Sequence, residues 1–132
     1  MIKLSTDIGQ SRLLVGLGLD VNTADMTFKQ VDLGDKTEYY LGVGLDVAVS
    51  QNLYSYRMGY VVPSWSLTAL FNILQDVDGF QPQLGRFDKR YRCYYANQFG
   101  LVSLSCFADD PIDAAFNMVV GLLEGFNKTE EK

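Results

Sequence analysis

The chain contains no histidine. That absence removes the commonest general base near neutral pH and the commonest metal ligand. A Ser-His-Asp or Cys-His site cannot be built within it. Cysteine is scarce as well. Cys93 and Cys106 alone cannot complete a tetrahedral zinc site. No apolar stretch is long enough to span a bilayer, so no membrane partner is expected. Asp7, Arg12 and Asp20 interrupt the apolar part of residues 1–20, and no small-residue cleavage site follows an unbroken core. A signal peptide is therefore not expected, and the expected location is cytoplasmic, where a structural disulfide is not expected either. Positive charge is in short supply, with 11 Lys and Arg against 16 Asp and Glu, a net charge of −5. Such a surface repels phosphate backbones at long range and argues against nonspecific DNA binding. The glycines of LVGLGLD and LGVGLD match neither phosphate-binding fingerprint in a strand–helix context. No convergent set of reactive groups is legible. No catalytic residue, cofactor site or metal site is expected, and the chain is read as not an enzyme.

What the chain does have is the composition of a folded body: 132 residues, 48% hydrophobic and 20% charged, enough for a real core. Residues 1–126 are expected as a single globular domain and residues 127–132 as a frayed tail. The clearest element is residues 109–126. Ile112, Ala115, Phe116, Val119, Leu122, Leu123 and Phe126 follow the spacing of one helical face. Asp110 sits where an N-cap belongs, Pro111 at the first helical position, and Asp113 near the positive end of the helix dipole.

Elsewhere the signals are less uniform. Residues 6–17 read as a helix whose end is better marked than its start. Gly18 fits a left-handed C′ position, with Leu19 returning to Leu14 as in a Schellman cap. Residues 20–25 read as a polar connection. Residues 27–33, 38–43 and 52–62 read as strands by their β-branched and aromatic content, and residues 44–52 as strand or loop. Pro63 is expected to stop the third run. Leu67, Leu70, Phe71 and Leu74 then share a helical face. Residues 75–88, with Gly79, Pro82 and Gly85, read as a surface loop.

Residues 90–108 read as a hairpin turning at residues 97–100. Val102, Leu104, Cys106 and Ala108 share one face, with Ser103 and Ser105 on the other. Tyr91, Cys93 and Tyr95 alternate with Arg90, Arg92 and Tyr94. A two- or four-residue loop pairs odd positions with even ones, which sets Cys93 with Leu104 and Cys106 and sets the arginines with the serines. A three-residue loop instead puts Arg92 over the apolar face, which the register rule disfavours. Reduced thiols on a buried face are the expected outcome. Hairpins outnumber crossovers, so the fold class is α+β: a two-layer arrangement with a mostly antiparallel sheet of about four to five strands and about three helices on one face.

The segments PSWSLTALFNIL and DPIDAAFNMVVGLLE together resemble a group of small uncharacterised proteins of bacteriophages and mobile elements of gut bacteria. Pro63, Trp65, Ser66, Leu67 and Leu70, then Asp110, Pro111, Asp113, Ala114 and Met118, carry the resemblance. LGLDVNTADM is similar to the group's opening segment. The resemblance implies a source; it carries no activity and no site residues. The last hairpin and helix also look like the end of antitoxins of the HicB type, through a short motif made mostly of capping residues.

The candidate interaction residues are Trp65, Arg86, Lys89, Arg90, Arg92 and Tyr94. Trp65 is either a binding hot spot or a core aromatic, the commoner use in a small body. The residues from Arg86 to Arg92, interleaved with tyrosines, either grip a nucleic-acid strand by charge and stacking or protect a strand edge from aggregation. Asp109, Asp110 and Asp113 could hold a divalent cation through oxygen ligands, but capping and dipole complementarity explain Asp110 and Asp113 without one. Tyr39, Tyr40, Tyr54, Tyr56 and Tyr60 suggest an aromatic sheet face suited to an interface. The functional expectation is a non-enzymatic accessory protein acting through protein–protein contacts, with a protein partner or a second copy as a homodimer. The alternative is a nucleic-acid-binding or HicB-antitoxin-like regulator using the Arg86–Arg92 cluster.

Overall fold

A computed structural model describes residues 3–130, the side chains of residues 126–130 excepted. The chain is α+β. Among the described residues it has five α-helices and six strands, the strands forming two antiparallel three-stranded sheets rather than one sheet of four to five. The chain divides into two compact units: Ser5–Ser66, and Met1–Leu4 with Leu67–Lys132.

In the first of these, α1 (Ile8–Gly16) starts on a capping box. The Asp7 carboxylate accepts from the Gln10 backbone N–H, and the Gln10 side chain accepts from the Asp7 N–H. The helix ends as expected. Gly18 has φ +95°, its N–H donates to the Val15 carbonyl, and the Leu19 N–H returns to Leu14 at 3.1 Å. The polar connection holds a 3₁₀ turn, Val21–Thr23, capped by Asp20.

Strands β1 (Met26–Asp32) and β2 (Thr37–Val43) pair as a hairpin, and β3 (Val61–Ser64) pairs with the other side of β1. Two expectations fail here. Residues 52–62 are not one strand: Asn52 (φ 55°) and Gly59 (φ 81°) take left-handed conformations that break an extended run. Between them lies a helical turn, α3 (Tyr54–Arg57). The ambiguous stretch before it contains α2 (Val47–Ser50), started by the Asp46 carboxylate accepting from the Ala48 N–H. Pro63 does not stop the strand either. It sits inside β3, opposite Thr27, because β3 is an edge strand and an edge tolerates a missing donor. Ala48, Val49 and Val61 form a small apolar cluster with Val21, Leu45 and Tyr56 packed on it.

In the second unit, α4 (Leu67–Ile73) precedes the segment expected as a surface loop. Half of that segment is strand β4 (Gln81–Phe87). The signal for it is Asp78-Gly79: both residues have positive φ, and Val77 and Phe80 exchange backbone hydrogen bonds across them. That is the geometry of a two-residue hairpin turn. Strands β5 (Arg90–Ala96) and β6 (Val102–Ala108) follow, in sheet order β4-β5-β6. Cys93 lies opposite Cys106 and Tyr95 opposite Leu104, so odd positions pair with even ones as expected. The Asn97 side chain accepts from the N–H groups of Phe99 and Leu101 to close the turn.

The last helix, α5 (Pro111–Glu130), begins where expected, with the Asp110 carboxylate accepting from the Ile112 N–H at 2.8 Å. Ile112, Ala115, Phe116 and Val119 are buried, joined by Ala114 and Met118. The helix lies against β5, β6 and α4. Phe126, expected on the same face, lies outside the described side chains, as do residues 131 and 132 of the expected tail.

Candidate functional site

The expected basic cluster does not stay together. Strand alternation and the β4–β5–β6 register put Arg90, Arg92 and Tyr94 on one face, with Phe87, Gln83, Ser105 and Phe107 as their cross-strand neighbours. Arg86 pairs with Tyr91 on the opposite face, where its guanidinium sits 6.0 Å from the Tyr91 ring. Lys89 is in the two-residue turn between β4 and β5, at φ 72°. Trp65 leaves the surface altogether. It is 0% exposed, and its indole N–H donates to the Thr23 hydroxyl at 2.9 Å, so it packs within the β1–β3 unit instead of facing a partner.

Arg92 is the centre of the face that remains. Its guanidinium lies 4.5 Å from the Tyr94 ring, 5.5 Å from Phe87 and 5.6 Å from Phe107. Its Nε and Nη2 donate to the Ser105 hydroxyl at 3.0 and 2.8 Å. The side chain is thus held on three rings and one acceptor, and the cation spends little further entropy on ordering when something docks. Phe87 reaches Arg92 because residue 85 is glycine. A Cβ at Gly85, which lies opposite Arg92, would come within 2.8 Å of the Phe87 ring. Arg90 adds a second cation, 5.4 Å from Phe107, with a loose ion pair of 3.9 Å to the exposed Asp109. Phe87 and Phe107 are each 44% exposed, so both remain partly open to solvent.

The sequence pattern identifies Arg90, Arg92 and Tyr94 and, by alternation, places Ser105 with them. It misses Phe87 and Gly85, because their strand reads as loop. It also misses Phe107, although Phe107 shares parity with Ser103 and Ser105.

The displaced titrations lie away from this face, and each has a structural cause. Burial pushes the Cys93 thiol up to about 12, and the neighbouring Cys106 adds to the shift. Burial raises Cys106. Burial, Cys93 and Asp76 raise Tyr95, whose hydroxyl donates to the Gln75 carbonyl at 3.0 Å. In the β1–β3 unit the Ala48 N–H, then Lys29, holds the Asp46 carboxyl below its ordinary range. A groove of about 550 Å³ beside β1 and β2 is lined by Thr27, Lys29, Tyr40, Val43, Asp46 and Val47. Its two charges satisfy each other, with Lys29 and Asp46 3.1 Å apart. Of the acidic set, Asp110 caps α5 and Asp113 accepts from the Lys3 ammonium at 2.7 Å. No described helix is long and apolar enough to cross a membrane. Compared with protein-family models, curated proteins and solved structures, the chain gives no match.

Proposed function

We propose that this chain is a non-enzymatic accessory protein of the cytoplasm. It works through protein–protein contacts on the outer face of β4–β5–β6, and it also associates with a second copy of itself. The observation that carries this reading is Arg92 held among Tyr94, Phe87 and Phe107 on an exposed sheet face. Arginine and large aromatics are the residues most enriched at interface hot spots, and here they are already ordered. Helix α5, layered behind the sheet, gives the face a rigid backing. The displaced titrations have backbone capping, the Lys29 ion pair and burial as their causes.

The test places a photoreactive phenylalanine analogue at position 107 in cells expressing the chain. Discrete protein adducts are expected, and Gly85→Ala, which displaces Phe87 without changing charge, is expected to reduce them. Equal adducts from position 54 on the other unit would overturn the assignment.

Nucleic-acid binding is the second reading, favoured by Arg90 and Arg92 sharing one exposed sheet face with the Tyr94, Phe87 and Phe107 rings. It requires oligonucleotide affinity that falls steeply between about 50 and 200 mM salt. Absence of binding at low salt removes it.

A further inference from the structure

The two edges of the β4–β5–β6 sheet are built differently. Strand β4 carries Pro82, Gly85 and Arg86 and runs into the charged turn at Asp88 and Lys89. Proline and charge are the usual protections of a strand edge. Strand β6, VSLSCFA, carries no charge and no proline over all of its length. It is the last strand of its sheet, so one side of its backbone has no strand partner among the described residues. Val102, Leu104 and Phe107 are 42%, 49% and 44% exposed, and the residues leading into it, Phe99 and Leu101, are 79% and 64% exposed. An open, neutral, apolar edge of this kind is a template for strand addition.

The sequence of β6 indicates what covers it. An antiparallel copy of β6 centred on Ser105 sets Leu104 opposite Cys106, Ser103 opposite Phe107 and Val102 opposite Ala108. Each pair then joins a large side chain to a small one, the arrangement that lets facing side chains interdigitate. A two-fold axis through Ser105, normal to the sheet, makes the pairing isologous and keeps the Arg92 faces of both copies on one side. The same register brings Leu101 opposite Asp109, so the exposed turn of one copy lies beside the start of α5 in the other. Charge points the same way. The chain carries −5 and two copies repel over most of their surface, whereas β6 opposes no charge to itself.

We infer that β6 is the seam of a homodimer, pairing antiparallel with β6 of a second copy about Ser105 and joining the two sheets into one. This rests on the self-association in the proposed function and names its surface.

Light scattering on the purified chain gives the first readout: twice the 14.8 kDa of one chain. Ser105→Lys sets two ammonium groups directly opposite each other at the pivot and is expected to return the mass to 14.8 kDa. Because that lysine also faces Arg92 within one copy, Ser105→Cys provides a gentler arm. With oxidised glutathione as the oxidant, it is expected to give a covalent dimer linked from 105 to 105, as directly paired strand positions meet disulfide geometry. Ser103→Cys, opposite Phe107, is expected to give little. A dimer that survives Ser105→Lys and does not link at 105 overturns the seam while leaving self-association standing. A monomer throughout overturns both.

Discussion

The β4–β6 unit buries Ile112, Phe116, Val119, Cys93 and Tyr95, side chains that an apolar period announces. The β1–β3 unit buries Ser5, Thr6, Ser11, Thr27 and Ser64 at 4% exposure or less. There the Thr6 hydroxyl lies 2.8 Å from that of Ser11 and accepts from the Trp65 N–H at 3.0 Å. The Ser64 hydroxyl donates to the Thr6 carbonyl at 2.6 Å. The Ser66 hydroxyl donates to the Asp25 carboxylate, which also accepts from the Ser66 N–H. This web ties the segment before α1, the loop before β1 and the end of β3 around one indole. The difference teaches that the β4–β6 unit rests mainly on apolar packing, whereas the β1–β3 unit adds a web of satisfied polar groups to its own apolar core, and that the two kinds of support fail differently. Truncating a packed apolar side chain leaves a cavity, whereas deleting a buried hydroxyl strands its partners away from water.

The largest expected effect removes the indole at the centre of the web. Trp65→Ala is expected to cost about 3–5 kcal/mol, the range for deleting a large buried aromatic. Urea unfolding followed by far-ultraviolet circular dichroism measures it. A loss below about 1 kcal/mol would mean that the web stands without its aromatic and that the contrast between the units is overdrawn.

The next effect is the direct contrast. Thr6→Val keeps shape and removes a hydroxyl that serves Ser11, Ser64 and the Trp65 backbone, for an expected cost of about 1–3 kcal/mol. Ile112→Val removes one methylene from α5, for about 0.5–1.5 kcal/mol. The same urea titration measures both variants. If Ile112→Val proves the more damaging, the hydroxyl web contributes less than packing and the comparison breaks.

Legibility in the sequence follows the same division. Helix α5, its Asp110 cap, the Gly18 end of α1 and the β5–β6 register are all readable, because period, cap and turn chemistry agree there. The α2 and α3 turns are not. Tyr54, Tyr56 and the valines around them have strand propensity, and tertiary context and the left-handed residues Asn52 and Gly59 override it. Strand β4 is hidden by its edge protections, since Pro82 and Gly85 also mark loops. At the candidate site, Arg90, Arg92 and Tyr94 are legible by alternation. The loss of Arg86 to the other face and the gain of Phe87 both depend on β4, which the loop signals conceal. No pattern distinguishes the buried serines and threonines of the web from surface ones, because their burial depends on pairings across residues 5 to 66.

Titration separates the units again. In the β4–β6 unit the Cys93, Cys106 and Tyr95 folded values lie above their ordinary 9.0, 9.0 and 10.0. Their stabilising contribution is therefore complete below about pH 9 and declines as pH rises toward the Cys93 value of about 12. In the β1–β3 unit Asp46 lies below its ordinary 3.8. Its contribution is present above that pH and declines as acid protonates the folded carboxylate. Hydrogen exchange across pH is expected to show the β4–β6 unit opening first on the alkaline side, with Cys93→Ala flattening the dependence. Asp46→Asn is expected to do the same for the β1–β3 unit in acid. Both units losing protection together at both extremes would show that one unit's titration controls the whole chain.

The smallest effect concerns the two hairpin turns. The β1–β2 turn places a glycine, Gly34, at φ 90°, whereas the β4–β5 turn places Asp88 and Lys89 at 55° and 72°. A side chain with a Cβ is costly in that region, and lysine lacks the short polar group by which asparagine or aspartate offsets it. Asp-Gly is the favoured pair for a two-residue turn of this hand. Lys89→Gly is therefore expected to stabilise by about 1 kcal/mol, raising Tm by about 3–5 °C for a chain of this size. Gly34→Ala, run as the mirror experiment, is expected to lower it by a similar amount. The Lys89 side chain is exposed, so the exchange sacrifices little packing in the β4–β5 turn. A fall in Tm for Lys89→Gly would mean that the added freedom of the unfolded glycine outweighs the relief of the turn, and that the β4–β5 turn is no more strained than its β1–β2 counterpart.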